Sequence, residues 1–574
     1  MQSEIGKFKN QHNSKKHENS SVNVVIVTMD THLSSATNRA SNSLVSGMPG
    51  LSLKMYAASE YVADSKKLDN CIKDIKKADI VLVTMLFVEE HFKPIISTLE
   101  AKRANCDAMV CIMSSPEISK ITLMGKLDMS KPVTGAMSFL KRLRGKQKNP
   151  AAKSGERQMR ILRRLPKFLK YIPGTAQDLR VYFLTLQYWL AGSEENIVGL
   201  ISLLISKYTS VNKLGLKNKI EVNDPIEYPS LGVYHPRIKG RISENSSKIP
   251  KVVSDKKYKG TVGIIMLRSY LLSGNTAHYD GVITALEAQD LRVIPIFAMG
   301  LDSRPAIEKY FIRNNKEVLV DMIVSLTGFS LVGGPAYNDA KAAESILSKL
   351  DVPYLAAHPV EFQTISDWND SNRGLLPVEN TIMVAIPELD GAISPMVYGG
   401  RPGKKIDDNS KINKEKNTVS SNNDTDMVVC SERAAMLAER VKKIVSLRKT
   451  KISDKKIAFV LFNYPPNAGN AGTAAYLGVF ESLFNTLKAM KEQGYNIEMP
   501  ENSDLLREMI TVGNASFYGA EANVAEQTLL DDYVRKEKWL EEIESCWGVA
   551  PGKQNTDGNS LFILGAHFGN VFVG

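Results

Sequence analysis

Four side chains in this sequence are placed to take or give a proton, or to hold a metal ion, at the end of a β-strand: His278, His358, Glu388 and Asp390. Imidazole titrates near neutrality and carboxylates serve as bases, so these types suit acid–base or metal chemistry. All four fall on predicted loops. There a histidine serves equally well by bonding a backbone carbonyl, and the string PELDG (387–391) equally well makes a turn. Arg268 and Arg401 are candidate receivers of carboxylates. Two glycine loops ahead of helical patterns are candidates too, one at Gly333 and Gly334, the other running through Gly469 and Gly472 to Thr473. A helix start offers free backbone N–H groups and the positive end of a dipole, which suits a carboxylate or a phosphate. The alternative for each cation is pairing with local acids. The sequence has no GxxxxGK[ST] phosphate loop, no GxSxG elbow and no HExxH helix. Its eight histidines leave little room for a multi-histidine metal site.

The elements that must position these residues are written in the hydrophobic pattern. VNVVIVTM (22–29), ADIVLVTML (78–86) and DAMVCIM (107–113) are continuous apolar runs of strand length, with helical patterns between them such as Tyr61–Lys77. Buried strands alternating with helices predict a parallel, doubly wound sheet. The stretch 176–258 reads as a mostly helical connection. A second α/β region covers 259–401, with strands TVGIIMLR (261–268), RVIPIFAM (292–299), DMIVSLT (321–327) and PYLAAH (353–358), and a short helix from Arg304 to Phe311. Ligands of such sheets lie outside the carboxyl ends of the strands. That rule gathers 269–278, 327–334, His358 and 387–391 on one edge. A third α/β region, 430–574, holds a strand at Ile457–Phe462 and an amphipathic helix opened by Thr473, with Leu477, Phe480, Phe484 and Leu487 on one face. The fold class expected is thus multi-domain α/β, with several Rossmann-like sheets and a helical connecting region.

Composition narrows the rest. Residues 1–21 read as a disordered tail, and 402–429, polar and rich in Asn, Lys and Ser at its centre, reads as a flexible insertion. The net charge of +11 is concentrated in part between Lys120 and Lys170, as in KRLRGK (141–146) and RILRRLPKFLK (160–170). Such a run suits nucleic acid, acidic lipid headgroups or an acidic partner, or is simply a solvated basic helix pair. Five scattered cysteines with no CxxC spacing indicate neither a disulfide framework nor a thiolate zinc site, which fits a reducing cytoplasm. The N-terminus has no apolar signal core, and no apolar run approaches membrane-spanning length. The last run, FILGAHFGNVFVG, reads as a strand with nothing to pack beside it, as in a fragment.

Five blocks carry more than their geometry: RSYLLSGNTAHYDGVITALEAQDLRVIPIFAMGLD (268–302), SLTGFSLVGGPA (325–336), VAIPELDGAISPMVYGGR (384–401), NYPPNAGNAGTAAYLGVF (463–480) and WGVAPG…DGNSLFILGAHFGNVFVG (547–574). In this order they resemble the large, porphyrin-binding H subunit of magnesium chelatase, and VNVVIVTMDTHLSSA through ITLMGKLDM resembles that family's N-terminal domain, here 22–175. The likeness spans about 22–401 and 430–574. It implies ATP-dependent insertion of Mg²⁺ into protoporphyrin IX in (bacterio)chlorophyll synthesis. The implied partners are two smaller AAA+-type subunits that hydrolyse the ATP, consistent with the missing phosphate loop. It also implies a cytoplasmic setting (the stroma in a plastid), no nucleic acid and at most peripheral membrane contact. On this reading Arg268, Gly333, Gly334, His358, Gly469, Gly472 and Thr473 line a porphyrin cleft and receive propionates. His278, Glu388 and Asp390 are the candidate bases, and the metal ligands are not assigned. Family members are roughly twice as long, and a later segment rich in His, Gly and Glu is absent, so a fragment inactive alone is expected. Two alternatives stand beside this: a non-catalytic tetrapyrrole-binding module, and a cobaltochelatase relative acting on a corrinoid precursor.

Overall fold

A computed structural model describes residues 21–29, 31–62, 64–131, 164–209, 214, 220–251, 258–334, 337–403, 426–462, 474 and 476–574. The chain divides into two compact units, Met1–Lys443 and Ile444–Gly574. Most of the basic stretch, the centre of the 402–429 insertion and the loop carrying Gly469, Gly472 and Thr473 lie outside the described residues.

Two sheets organise the first unit. The first contains β1 (Val22–Thr28), β2 (Leu51–Ala57), β3 (Ile80–Thr84), β4 (Ala108–Ile112), β5 (Leu123–Met124) and β6 (Leu127–Asp128), in the order β2-β1-β3-β4-β5-β6. Strands β1 to β4 pair in parallel. Strict alternation sends Val25, Val27, Val81 and Val83 to one face, against Cys71 and Ile75 of α2 (Ser65–Lys77) and Ile95 and Leu99 of α3 (Glu89–Arg103). Helix α2 starts where Asp64 accepts from the Lys66 N–H at 2.9 Å, and it ends on Lys76 and Lys77, complementing its dipole at both ends. Val24, Ile26, Ile80 and Leu82 face the other way. They meet Leu44 of α1 (Ser34–Gly47), Leu179 of α4 (Thr175–Ala191) and Leu200 and Leu204 of α5 (Glu194–Tyr208). The helices expected as a connection are therefore a layer of the first sheet's own core.

The second sheet has eight strands: β7 (Leu231–Tyr234), β8 (Ile242–Ser243), β9 (Gly260–Leu267), β10 (Leu291–Ala298), β11 (Met322–Ser325), β12 (Tyr354–Thr364), β13 (Ile393–Arg401) and β14 (Val428–Val429). Their order is β14-β13-β12-β11-β9-β10-β7-β8. The five central strands run parallel, and β7, β8 and β14 close the edges antiparallel. Residues 231–243, expected in a helical connection, and 428–429, expected in a flexible insertion, thus supply edge strands. Ile265, Ile294 and Ile323 pack on Ala306 and Ile307 of the helix Arg304–Tyr310 and on Ile346 and Leu350 of the helix Ala340–Leu350. On β9 a Cβ at Gly263 would lie 2.4 Å from the ring of fully buried Phe311. Gly263→Ala is expected to lose about 1–3 kcal/mol by overpacking, read as a lower denaturation midpoint.

The second unit has a smaller core. Strands β15 (Ile457–Phe459), β18 (Ala566–Phe568) and β19 (Val571–Val573) form a sheet in the order β15-β19-β18, and β16 (Val524–Leu529) pairs with β17 (Ser560–Leu564). Its amphipathic helix is Val479–Glu492, six residues later than expected from Thr473. Leu477 precedes the helix and is exposed, while Leu483 and Leu487 are buried, with Phe480 and Phe484 packed against the same core. The final apolar run does find partners. Val571–Val573 pairs in parallel with Ile457–Phe459, a register 114 residues apart in sequence (571 − 457) that local pattern cannot show.

Candidate functional site at the carboxyl edge of the second sheet

The carboxyl ends of β9, β10 and β11 open on the same edge, and the loops that leave them frame two grooves. The smaller, about 270 Å³, lies between Leu267, Gly300, Ser303, Thr327, Ser330 and Gly333. It sits where the sheet reverses its winding, since β9 lies between β10 and β11. The larger, about 490 Å³, lies between Leu186 and Leu190 of α4, Ile226, Tyr228, Arg268 and Met299. Adjacent residues of one strand end, Leu267 and Arg268, line one groove each, as do Met299 and Gly300.

Asp390 shapes the smaller groove from behind. One oxygen of its carboxylate accepts from Ser330 Oγ at 2.6 Å and from the Leu331 N–H at 2.7 Å. Asp390 is 3% exposed, and burial pushes its pKa up against the pull of these two donors. It brackets the loop 330–331. Glu388, two residues earlier on the short helix Ile386–Leu389, is exposed. The two carboxylates therefore sit in different surroundings and do not form a pair. Gly333 and Gly334 form a two-residue strand against Tyr337 and Asn338 where a helix start was expected, and the Gly333 N–H is donated to Leu301 O at 2.8 Å.

The two histidines are enclosed. His278 lies inside the helix Ala277–Ala288 and His358 inside β12, so both occupy regular elements where loops were expected. Neither ring has a hydrogen-bond partner on either nitrogen among the described residues. The His278 imidazole is fully buried among tyrosines, with ring centroids 3.9 Å from Tyr279, 5.2 Å from Tyr270 and 6.1 Å from Tyr398, the last nearly parallel. Burial pushes its pKa down to about 3. His358 goes to about 4, through burial and then the nearby charge of Arg433. Both are neutral at pH 7.

Glu361, absent from the residues the sequence singles out, accepts from Tyr270 Oη at 2.9 Å. Burial foremost raises the Tyr279 and Tyr398 phenols; the Glu361 charge adds to both, after Tyr279 itself in the case of Tyr398. The available signal is an acid inside an apolar run, HPVEF. The apolar pattern ends the strand at His358, whereas the strand continues to Thr364 and carries Glu361 with it. Arg268 is nearly buried, and donates from Nε to Pro229 O at 2.9 Å and from Nη2 to Tyr228 O at 3.1 Å. Arg401 ends β13, and its Nε is buried without a hydrogen-bond partner among the described residues. The structure thus brings Arg268, Gly333 and the Asp390-held loop to the two grooves. It keeps His278 and His358 within the packed interior.

Residues 186–574 match the family model described as CobN/Magnesium Chelatase. The chain belongs to this family. Residues 23–183, ahead of the CobN/magnesium chelatase region, match a domain of unknown function, DUF3479. Among curated family members, the H subunit of magnesium chelatase from Cereibacter sphaeroides is 46% identical over 560 residues, covering 96% of this chain and 45% of that protein. The chloroplastic ChlH subunit of magnesium chelatase from Oryza sativa subsp. indica is 32% identical over 568 residues, covering 96% of this chain and 39% of the relative. The chain spans less than half the length of these relatives. In fold it is similar to the catalytic subunit of cobaltochelatase from Mycobacterium tuberculosis, with a TM-score of 0.53 at 17% identity over 96% of this chain and 38% of that one. The α/β class expected for this family is the class found. No helix among the described residues is long and apolar enough to cross a membrane.

Proposed function

We propose that this chain is the porphyrin-binding part of a magnesium chelatase large subunit. It takes part in ATP-dependent insertion of Mg²⁺ into protoporphyrin IX, with ATP hydrolysed by two smaller AAA+-type subunits, in the cytoplasm or a plastid stroma. The 46% identity to the H subunit of a magnesium chelatase across 96% of the chain carries this reading. The chemistry fits a division of labour. Mg²⁺ releases its waters reluctantly, and two pyrrole protons must leave as the metal enters. A flat ring with two carboxylate arms calls for an apolar cleft with a few cationic or N–H groups, as the carboxyl edge of the second sheet offers through Arg268 and its loops. Glu388, exposed, is the carboxylate best placed to exchange a proton with solvent, while Asp390 holds the loop.

Titrating the purified chain with protoporphyrin IX is expected to shift the Soret band saturably, with a corrinoid giving no comparable response. A saturable response to the corrinoid alone would favour cobalt chemistry and remove this reading. Glu388→Gln is expected to slow chelation more than tenfold, assayed in the full-length subunit with its ATPase partners, without changing porphyrin affinity. Unchanged chelation would strike Glu388 from the bases.

A further inference from the structure

We infer that the tetrapyrrole ring lies on the α4 side of the second sheet's edge, in the larger groove, so that the helical layer of the first sheet supplies one wall of the binding site. This rests on the porphyrin-binding reading above and says where the ring goes. Helix α4 has two apolar faces. Leu179, Leu184 and Tyr188 are buried in the first sheet's core, while Leu190 remains half-buried beside the groove and Leu186, one turn earlier, both packs against that core and lines the groove.

The facing wall is the extended segment 223–229, which is held at three places by its main chain. Tyr188 Oη donates to Asn223 O. Buried Asn196 accepts from the Ile226 N–H at 2.9 Å and donates to Ile226 O at 3.2 Å. Arg268 donates to the carbonyls of Tyr228 and Pro229. With its polar backbone pinned, the segment leaves Ile226 44% exposed at the groove. An apolar side chain held out on a rigid backbone, facing half-buried leucines, is a preformed slot for a flat apolar body.

Lining and charge bear on the choice between the grooves. Both are open to solvent, and the empty space over the larger, about 490 Å³, exceeds the about 270 Å³ beside Thr327 and Ser330. The charged side chains on the larger groove are Arg268 and Glu227. The guanidinium, whose Nε and Nη2 hold the Pro229 and Tyr228 carbonyls, gives the groove a cationic side toward a carboxylate arm of the ring, and Glu227 gives it an acidic one. The hydroxyl-lined smaller groove next to it suits a polar substituent.

Filling the slot tests this. Leu186→Trp and Leu190→Trp are expected to weaken protoporphyrin IX binding, followed by the Soret shift of the whole chain, by about tenfold or more (on the order of 1.4 kcal/mol). Val45→Trp, on an exposed position of α1, is the control for an added indole. Ile226→Ala, which removes one wall without adding bulk, is expected to weaken binding about fivefold and covers the case in which a tryptophan variant fails to fold. Wild-type affinity in Leu190→Trp and Ile226→Ala would overturn the inference while leaving porphyrin binding intact. So would a loss confined to Leu301→Trp, in the smaller groove. A wild-type chain with no Soret response would remove the functional reading and this inference together.

Discussion

Acidifying the protein from pH 7 toward pH 3 is expected to cost about 3–5 kcal/mol of stability through His278 alone. The folded imidazole titrates near 3 and the unfolded one near 6.5. Between those values the unfolded chain binds a proton that the folded chain refuses, so stability falls as pH falls. The contribution is fully present above about 6.5 and is lost progressively on the way to 3. The cause is local: inside a cage of Tyr270, Tyr279 and Tyr398, neither ring nitrogen has a hydrogen-bond partner among the described residues to receive a positive charge. His358, near 4, adds a shorter window of the same sign. Asp390 works in the opposite direction, because its raised pKa makes the ionised form the costly one, and it relaxes as pH falls below its folded value. His278→Phe keeps a ring in the cage and removes the titrating group. Its denaturation midpoint, measured between pH 7 and about pH 4, is expected to fall much less than that of the wild type. Parallel curves for the two proteins would show that His278 is not the group concerned.

Asp390→Ala carries the second large effect, a loss of about 3 kcal/mol. The substitution strips two charge-assisted hydrogen bonds, leaving the Leu331 N–H buried without its acceptor and Ser330 Oγ with only the longer bond to Val332 O, at 3.3 Å. The loop that lines the smaller groove then loses its bracket, so porphyrin affinity and stability should fall together. Asp390→Asn retains an oxygen able to accept both donors, and recovers much of both. A base would behave otherwise: Asp390→Asn would abolish chelation while leaving stability and affinity near wild type. Thermal denaturation beside a Soret titration separates the two outcomes.

These effects depend on features that sequence pattern shows unevenly. The apolar runs at 22–29, 78–86, 261–268 and 292–299 form β1, β3, β9 and β10 because continuous Val and Ile runs have few other fates than a sheet covered on both faces. LGVY at 231–234 is invisible for the opposite reason. It is four residues long, and its role comes from the open edge of β10, more than fifty residues later. His278 reads as a loop residue because Gly274 and Asn275 interrupt the pattern. Gly274, at φ +74°, instead caps the helix Arg268–Ser273, and the next helix begins three residues on. Proximity in PELDG suggests two carboxylates acting together, yet two residues of helix turn separate an exposed Glu388 from a buried Asp390. Resemblance reaches the family because five sequence blocks in one order discriminate where single loops do not. Neither groove is legible, since α4, the 223–229 segment and the ends of β9 and β10 meet only in the folded chain.

Hydrogen exchange of the backbone amides, with and without saturating protoporphyrin IX, tests most directly where the pigment binds. Slower exchange is predicted at 186–191, 225–228, 267–270 and 299–303, the walls and floor beside the carboxyl ends of β9 and β10. Slower exchange confined to the first sheet's strand ends or to the unit 444–574, with those four stretches unchanged, would contradict the account.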